Sequence, residues 1–260
     1  MLEEPRQKNC HNGKDCGYFP GGKYSYEKHF AVPQEYPEQK VSILFEGVYQ
    51  NAVVYLNGEP VAKHRYGYTE FTADITGKVR EGENFLRVTV DNSLEPNCRW
   101  YTGSGIYRPV SLIIKPKNAV KPVKIRTVSL HPAVIEVATE TENASVEIWD
   151  GETCIAKGTP GTIPLPEAKL WDAEHPNLYT CVVKTSDDEE KFPFGIRTLT
   201  WSAQNGLCVN GNTVKLRGGC IHHDNGILGA CGFAEAEERR ICIMKQAGYN
   251  AVRCAHNPAS

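Results

Sequence analysis

The run NFLRVTVDN at 84–92 alternates without interruption. Leu86, Val88 and Val90 fall on one side, and Arg87, Thr89 and Asp91 fall on the other. A period of two is what a strand with one buried face requires, because successive side chains point to opposite sides of a sheet. KVSILFEGV repeats the pattern, with Val41, Ile43 and Phe45 against Ser42 and Glu46. VVYLNGEPVA places Asn57-Gly58 between two apolar runs, which predicts a tight hairpin because both residues tolerate positive φ. REGEN supplies another turn, and no helical stripe interrupts the first ~115 residues. The expectation is an antiparallel β-sandwich of jelly-roll type over 1–117.

KPKNAVKPVK, 115–124, is the best seam in the chain, since clustered Pro and Lys neither pack nor pair well. Beyond it lie short strand-like runs: TVSLHP, VIEVATE, SVEIWDG, LYTCVVKTS and FPFGIRTLTW. Their spacing predicts an immunoglobulin-like sandwich over 118–202, without the Cys…Trp…Cys pattern of antibody domains. From about 203 the pattern changes. GLCVNGNTVKLRGGC gives a hairpin around Asn210-Gly211 and then an apolar run. AEAEERRICIMKQAG reads as a helix with acids in its first turn, Ile241, Met244 and Ala247 on one side, and Gly248 as its stop. YNAVRC follows as a short strand. Strand, helix, strand within ~40 residues is a βαβ unit with parallel strands. The expected fold is therefore mainly β: a jelly-roll sandwich, an immunoglobulin-like sandwich, then the first βαβ piece of an incomplete (β/α)₈ barrel over 203–260.

Composition narrows the function. The chain has 260 residues, 40% of them hydrophobic and 23% charged, with net charge −2. That balance gives no reason to expect nucleic acid or a membrane surface as partner. The first residues lack the apolar core of a signal peptide, and no apolar run approaches the ~20 residues that span a bilayer. A cytoplasmic protein is expected. The ten cysteines are scattered and form no CxxC pair, so reduced thiols packing as small hydrophobes are expected, with Cys10 and Cys16 the pair to watch for oxidation. Asn143-Ala144-Ser145 matches a glycosylation sequon, which carries little weight in such a compartment.

The chemistry-bearing residues follow the two strands of the βαβ unit. His222, His223 and Asp224 come after the first, and Arg253, His256 and Asn257 after the second. Parallel strands deliver both sets to one face, the face on which barrel enzymes build active sites. Three His and an Asp could hold zinc, although the helical HxxxH spacing is absent. A sugar pocket needs planar donors and acceptors that read hydroxyl pairs, plus a cation for a carboxylate, and these residue types supply both. His222 alone reads as a solvated loop residue, and Glu235, Glu237 and Glu238 as a solvated helix face.

Seven ordered segments make a resemblance specific: FEGVYQNAVVYLNG, YGYTEFTADIT, RWYTGSGIYRPVSL, LWDAEHPNLYT, FGIRTL, LRGGCIHHDNGILGA and MKQAGYNAVRCAHNPAS. Over residues ~17–260 the chain resembles glycoside hydrolase family 2, its bacterial β-galactosidases in particular. The resemblance implies a sugar-binding jelly roll, an immunoglobulin-like domain and a catalytic barrel. It implies that His223 and His256 contact the sugar, with Asn257 beside them, that Arg253 orients the nucleophilic carboxylate, and that Asp224 braces loops. It also implies that the loop carrying Arg99, Trp100 and Tyr101 reaches over the barrel mouth. Some relatives have an aspartate about where Arg99 stands here, and Trp100 and Tyr101 fit interdomain packing as well as stacking on a sugar.

Retaining glycosidases use two carboxylates about 5 Å apart. The family's pair are glutamates on later barrel strands, and of a barrel of about 250 residues roughly 55 are present. Neither glutamate is here, and the start is short against the family's sandwich. The expectation is thus the N-terminal portion of a longer enzyme acting on β-galactosides or related β-glycosides, inactive alone, without a cofactor of its own. A divalent cation in the full-length enzyme and a homo-oligomeric state are left open. The alternative is a non-catalytic carbohydrate-binding or scaffold module of two sandwiches. An unfinished barrel leaves a strand edge uncovered, so residues past ~205 are expected to be poorly ordered, packed on the immunoglobulin-like domain, or hidden in an oligomer.

Overall fold

The structure is a computed structural model that describes residues 21–33, 39–94, 104–222 and 225–259. Arg99, Trp100, Tyr101, His223, Asp224, Cys10 and Cys16 lie outside the described residues. Two compact units are formed, one by Met1–Ile114 with Arg217–Ser260, the other by Lys115–Leu216.

The first unit opens with β1 (Lys23–Val32), β2 (Lys40–Phe45), β3 (Val48–Tyr49), β4 (Ala52–Leu56) and β5 (Glu59–His64). It continues with β6 (Phe71–Asp74), β7 (Gly82–Asp91), β8 (Gly105–Ile106) and β9 (Val110–Lys115). The sheets β1-β7-β4-β5 and β6-β2-β9 face each other, with β3 and β8 paired separately. The alternating residues do what the pattern requires. Val41, Ile43 and Phe45 meet Val54, Leu56, Val88 and Val90 in one buried core. Phe45 is fully buried and stacks on Phe71 with ring centroids 4.8 Å apart. The hairpin between β4 and β5 turns at Asn57 and Gly58, both at positive φ. Asn57 also reaches across: its Nδ2 donates to Asn84 Oδ1 at 3.0 Å and its Oδ1 accepts from Phe85 N at 2.9 Å. Asn84 is fully buried, and its amide is satisfied by Arg80 as well, so a polar core residue carries little penalty.

The second unit contains β10 (Val123–Leu130), β11 (Ala133–Thr139), β12 (Ser145–Asp150), β13 (Thr153–Gly158), β14 (Gly161–Pro164), β15 (Tyr179–Lys184) and β16 (Glu189–Phe194). Sheets β10-β11-β14 and β13-β12-β15-β16 enclose Ile135, Val137, Val146, Ile148, Cys181 and Val183. The strands β17 (Leu199–Ser202), β18 (Gly206–Val209) and β19 (Asn212–Thr213) belong to this unit, and Asn210-Gly211 forms the expected turn. On the outer face of β12, Glu147 accepts hydrogen bonds from Lys157 and Lys184 at 2.9 and 3.1 Å, which hold its carboxyl down at about 2.

In the rest of the first unit, β20 (Gly218–Ile221), α1 (Ala234–Gln246) and β21 (Ala251–Cys254) form the strand–helix–strand unit, with β20 and β21 parallel. This segment clusters with the first sandwich, a placement not among those expected for it. The expected apolar side of α1 is not covered: the helix has no buried residue, and Ile241 is 43% exposed. Two strands offer one short helix too little surface to bury a whole stripe. Cys181 is buried as expected, whereas Cys242 on α1 is exposed for the same reason. Among the described residues, no helix is long and apolar enough to cross a membrane.

Phe45→Ala should remove the stacked pair and leave a cavity, lowering the unfolding free energy of the first unit by about 3–5 kcal/mol in urea titrations. Glu147 has its folded-state proton affinity depressed, so its contribution is present above the ordinary carboxylate range and is lost as pH falls through about 2. The urea midpoint of the second unit should drop across that window, and Glu147→Gln should flatten the drop.

Candidate sugar-binding pocket

The site is built by the parallel pairing. The register runs from Gly218↔Ala251 to Ile221↔Cys254, so both strands end at the same rim. Gly218 is needed for this approach, because a Cβ there would overlap the Ala251 carbonyl. At the entry side, Arg217 N donates to Asn250 Oδ1 at 2.7 Å and Asn250 N donates to Arg217 O at 2.9 Å. At the exit side, Ala255 N donates to Ile221 O at 3.0 Å, extending the pairing into the turn. The Ala255–His256 peptide is cis.

The two turns meet. The rings of His222 and His256 stack with centroids 5.7 Å apart and planes 22° apart. His222 is therefore not a merely solvated loop residue: it is half-buried, and its carbonyl accepts from Arg240 Nη1 at 2.7 Å. His256 is exposed beside it. Behind the pair lies a pocket with about 380 Å³ of empty space, counting its open mouth, lined by Ile221, His222, Cys254, Asn257, Glu237 and Arg108 among others. Among the described residues, Asn257 Nδ2 is buried there without an acceptor. Arg253 is placed elsewhere. It is exposed, is not a lining residue, and its Nη1 lies 3.8 Å from Cys220 Sγ across the strands.

Sequence reading gave Glu237, Arg240 and Arg108 no role at the site. Glu237, expected on a solvated face, lines the pocket; both its oxygens accept from Arg240 Nη2 at 2.7 Å, and Oε1 also accepts from Asn225 Nδ2 at 2.8 Å. Glu235 and Glu238 are exposed as expected. The i,i+3 spacing of Glu237 and Arg240 was the available signal for this pair. Arg108 in SGIYRP carried no signal at all, yet it is buried. Its Nη1 donates to Tyr68 O at 3.0 Å, and its Nη2 to Pro258 O at 2.8 Å. Next to it, burial pushes the Tyr107 hydroxyl up to about 12, and that hydroxyl donates to Gly67 O at 2.8 Å.

Chemically, the pocket offers an amide donor, the His222 imidazole with His256 stacked on it at the rim, and a carboxylate fixed by a guanidinium. Such planar groups read pairs of hydroxyls. Among the described residues, no three His, Cys, Asp or Glu side chains gather as metal ligands.

Arg240→Met would deprive Glu237 and the His222 carbonyl of their shared donor. The first unit should lose about 1–3 kcal/mol in urea titrations. Arg240→Lys should recover only part of this, since an ammonium cannot reproduce the fork.

Comparison with known proteins identifies the family. The family model described as glycosyl hydrolases family 2, sugar binding domain, matches residues 17–116. The model described as glycosyl hydrolases family 2 matches residues 113–197. A β-galactosidase of Bacteroides ovatus is 33% identical over 95% of this chain and 33% of its own length. A putative β-glucuronidase of Formosa agariphila is 31% identical over 98% of this chain and 27% of its own length. The chain thus spans about a third or less of these curated relatives. The crystal structure of a glycosyl hydrolase family 2 member from Bacteroides cellulosilyticus superposes with a TM-score of 0.91 at 34% identity, covering 100% of this chain and 38% of that one. With adjoining family models over both sandwiches and relatives matched along nearly its whole length, the chain belongs to the glycosyl hydrolases of family 2.

Proposed function

We propose that this chain provides the sugar-binding sandwich, the immunoglobulin-like sandwich and one wall of the saccharide pocket of a retaining β-glycosidase that acts on β-galactosides or related β-glycosides. The observation that carries this reading is the meeting of two post-strand turns at a pocket where, among the described residues, Asn257 Nδ2 is buried without an acceptor. A buried amide N–H left unpaired is costly, and a sugar hydroxyl is an acceptor that would answer it. The relatives support the class, since they are named as a β-galactosidase and a putative β-glucuronidase. In this reading β20, α1 and β21 are the first βαβ piece of a (β/α)₈ barrel.

Within that wall, His256 and Asn257 hydrogen-bond the sugar, His223 joins them, and Asp224 braces the loop. Arg253 awaits a carboxylate from a further strand. Arg99 and Trp100 are assigned to the same sugar. Retention needs an acid and a nucleophile flanking the scissile bond. Glu237 does not serve, because Arg240 occupies both its oxygens. We therefore assign the chain by itself binding without turnover, and no cofactor. Its buried thiols, Cys181 and Cys208, fit a reducing, cytoplasmic setting.

Titration with galactose and with glucuronate, followed by histidine ring NMR, should show weak saturable binding of one of them. Asn257→Ala should weaken it about tenfold, the worth of one unreplaced hydrogen bond. A chromogenic β-galactoside should not be hydrolysed by this chain. Turnover would contradict the assignment, and absence of binding by either sugar would favour a scaffold role.

A further inference from the structure

We propose that Arg108, a residue of the first sandwich, is a positioning residue for the turn that carries His256 and Asn257. The proposal rests on the reading of that turn as part of the sugar pocket, and it names what holds the turn in place.

Arg108 is 6% exposed. Its hydrogen-bond partners are carbonyls from three distant segments: Glu46 O at 3.3 Å, Tyr68 O at 3.0 Å and Pro258 O at 2.8 Å. The last spans 150 residues of sequence. A guanidinium suits this task because its donors diverge in one rigid plane, so two can grip the sandwich while another reaches out. The grip is backed on the sandwich side. Gly47 leaves the space the side chain needs, since a Cβ there would sit 2.6 Å from Arg108 Cδ and 2.9 Å from the Tyr107 ring.

The neighbouring residue ties the other turn. Tyr107 O accepts from Gly232 N at 3.4 Å, and Ala230 packs on the buried cluster of Tyr49, Tyr68 and Tyr107. Tyr107 and Arg108 together therefore fasten the chain after β20 and the chain after β21 to one sandwich edge. Of these ties, the bond from Arg108 to Pro258 sits immediately beyond His256 and Asn257. The opposite side of that turn is held by the bond from Ala255 to Ile221. Remove the Arg108 tie and the turn keeps its bond at Ala255 and the stack on His222 but loses its hold beyond Asn257. Its imidazole and amide then sample many positions, and a sugar would have to order them on binding.

The experiment compares wild type, Arg108→Met, Arg108→Lys and His256→Ala by residue-resolved hydrogen exchange and by galactose titration. Arg108→Met keeps the apolar stem and removes all donors. Amides at 255–257 and 259 should exchange about tenfold faster or more, while Val54 and Val88 in the sandwich core keep their protection. Galactose affinity should fall about tenfold with it. Arg108→Lys can hold one acceptor at a time, so it should loosen the same amides less and restore part of the affinity. If the methionine variant does not fold, the lysine variant decides by the same pattern. Unchanged exchange at 255–259, or protection lost equally across the sandwich, would overturn the proposal. His256→Ala should weaken galactose with exchange at 255–259 near wild type. If it binds galactose normally, the pocket reading fails, while the exchange result still judges the tie.

Discussion

Everything at the candidate site depends on two short strands running the same way. With β20 and β21 in parallel register, Ile221 and Cys254 end side by side, and the chain leaves both at one rim. An antiparallel pair would send the histidine-bearing turns to opposite ends. The connection through α1 makes the parallel arrangement the natural one, since a hairpin cannot join parallel strands. Gly218 lets the backbones approach, and the paired bonds between Arg217 and Asn250 set the register at the start.

Several of the pocket's polar groups are held firmly by protein partners. Glu237 is held by Arg240, and Arg108 by three carbonyls. Among the described residues, Asn257 Nδ2 has no acceptor. In a fold that otherwise goes far to satisfy buried amides, as Asn84 shows with Arg80 and Asn57, an unanswered donor beside a cavity marks a place where a ligand would stabilise the structure.

Much of the architecture was legible because it rests on local rules. The alternation around Phe45 and Val88 declared the first sandwich, and Asn57-Gly58 and Asn210-Gly211 declared hairpins through their need for positive φ. The strand–helix–strand order sent the two post-strand clusters to one rim without any distance information, although His222 itself read as a solvated loop residue. What escaped was what local rules do not encode. TCIAKG and GTIP form β13 and β14 but were not among the strand-like runs, since it is their pairing with β12 and β11 that makes them strands. Glu237 looked solvated because a helix face gives no hint of which side a turn will fold over. Arg108 was invisible, since its acceptors are backbone carbonyls, one of them 150 residues away.

The central claim is that the two post-strand turns share one rim. The most direct test is the nuclear Overhauser contact between the ring protons of His222 and His256 in the isolated chain. The account predicts a clear cross-peak, as stacked rings 5.7 Å apart between centroids require. Two histidines with no mutual contact, each showing only neighbours from its own turn, would contradict it.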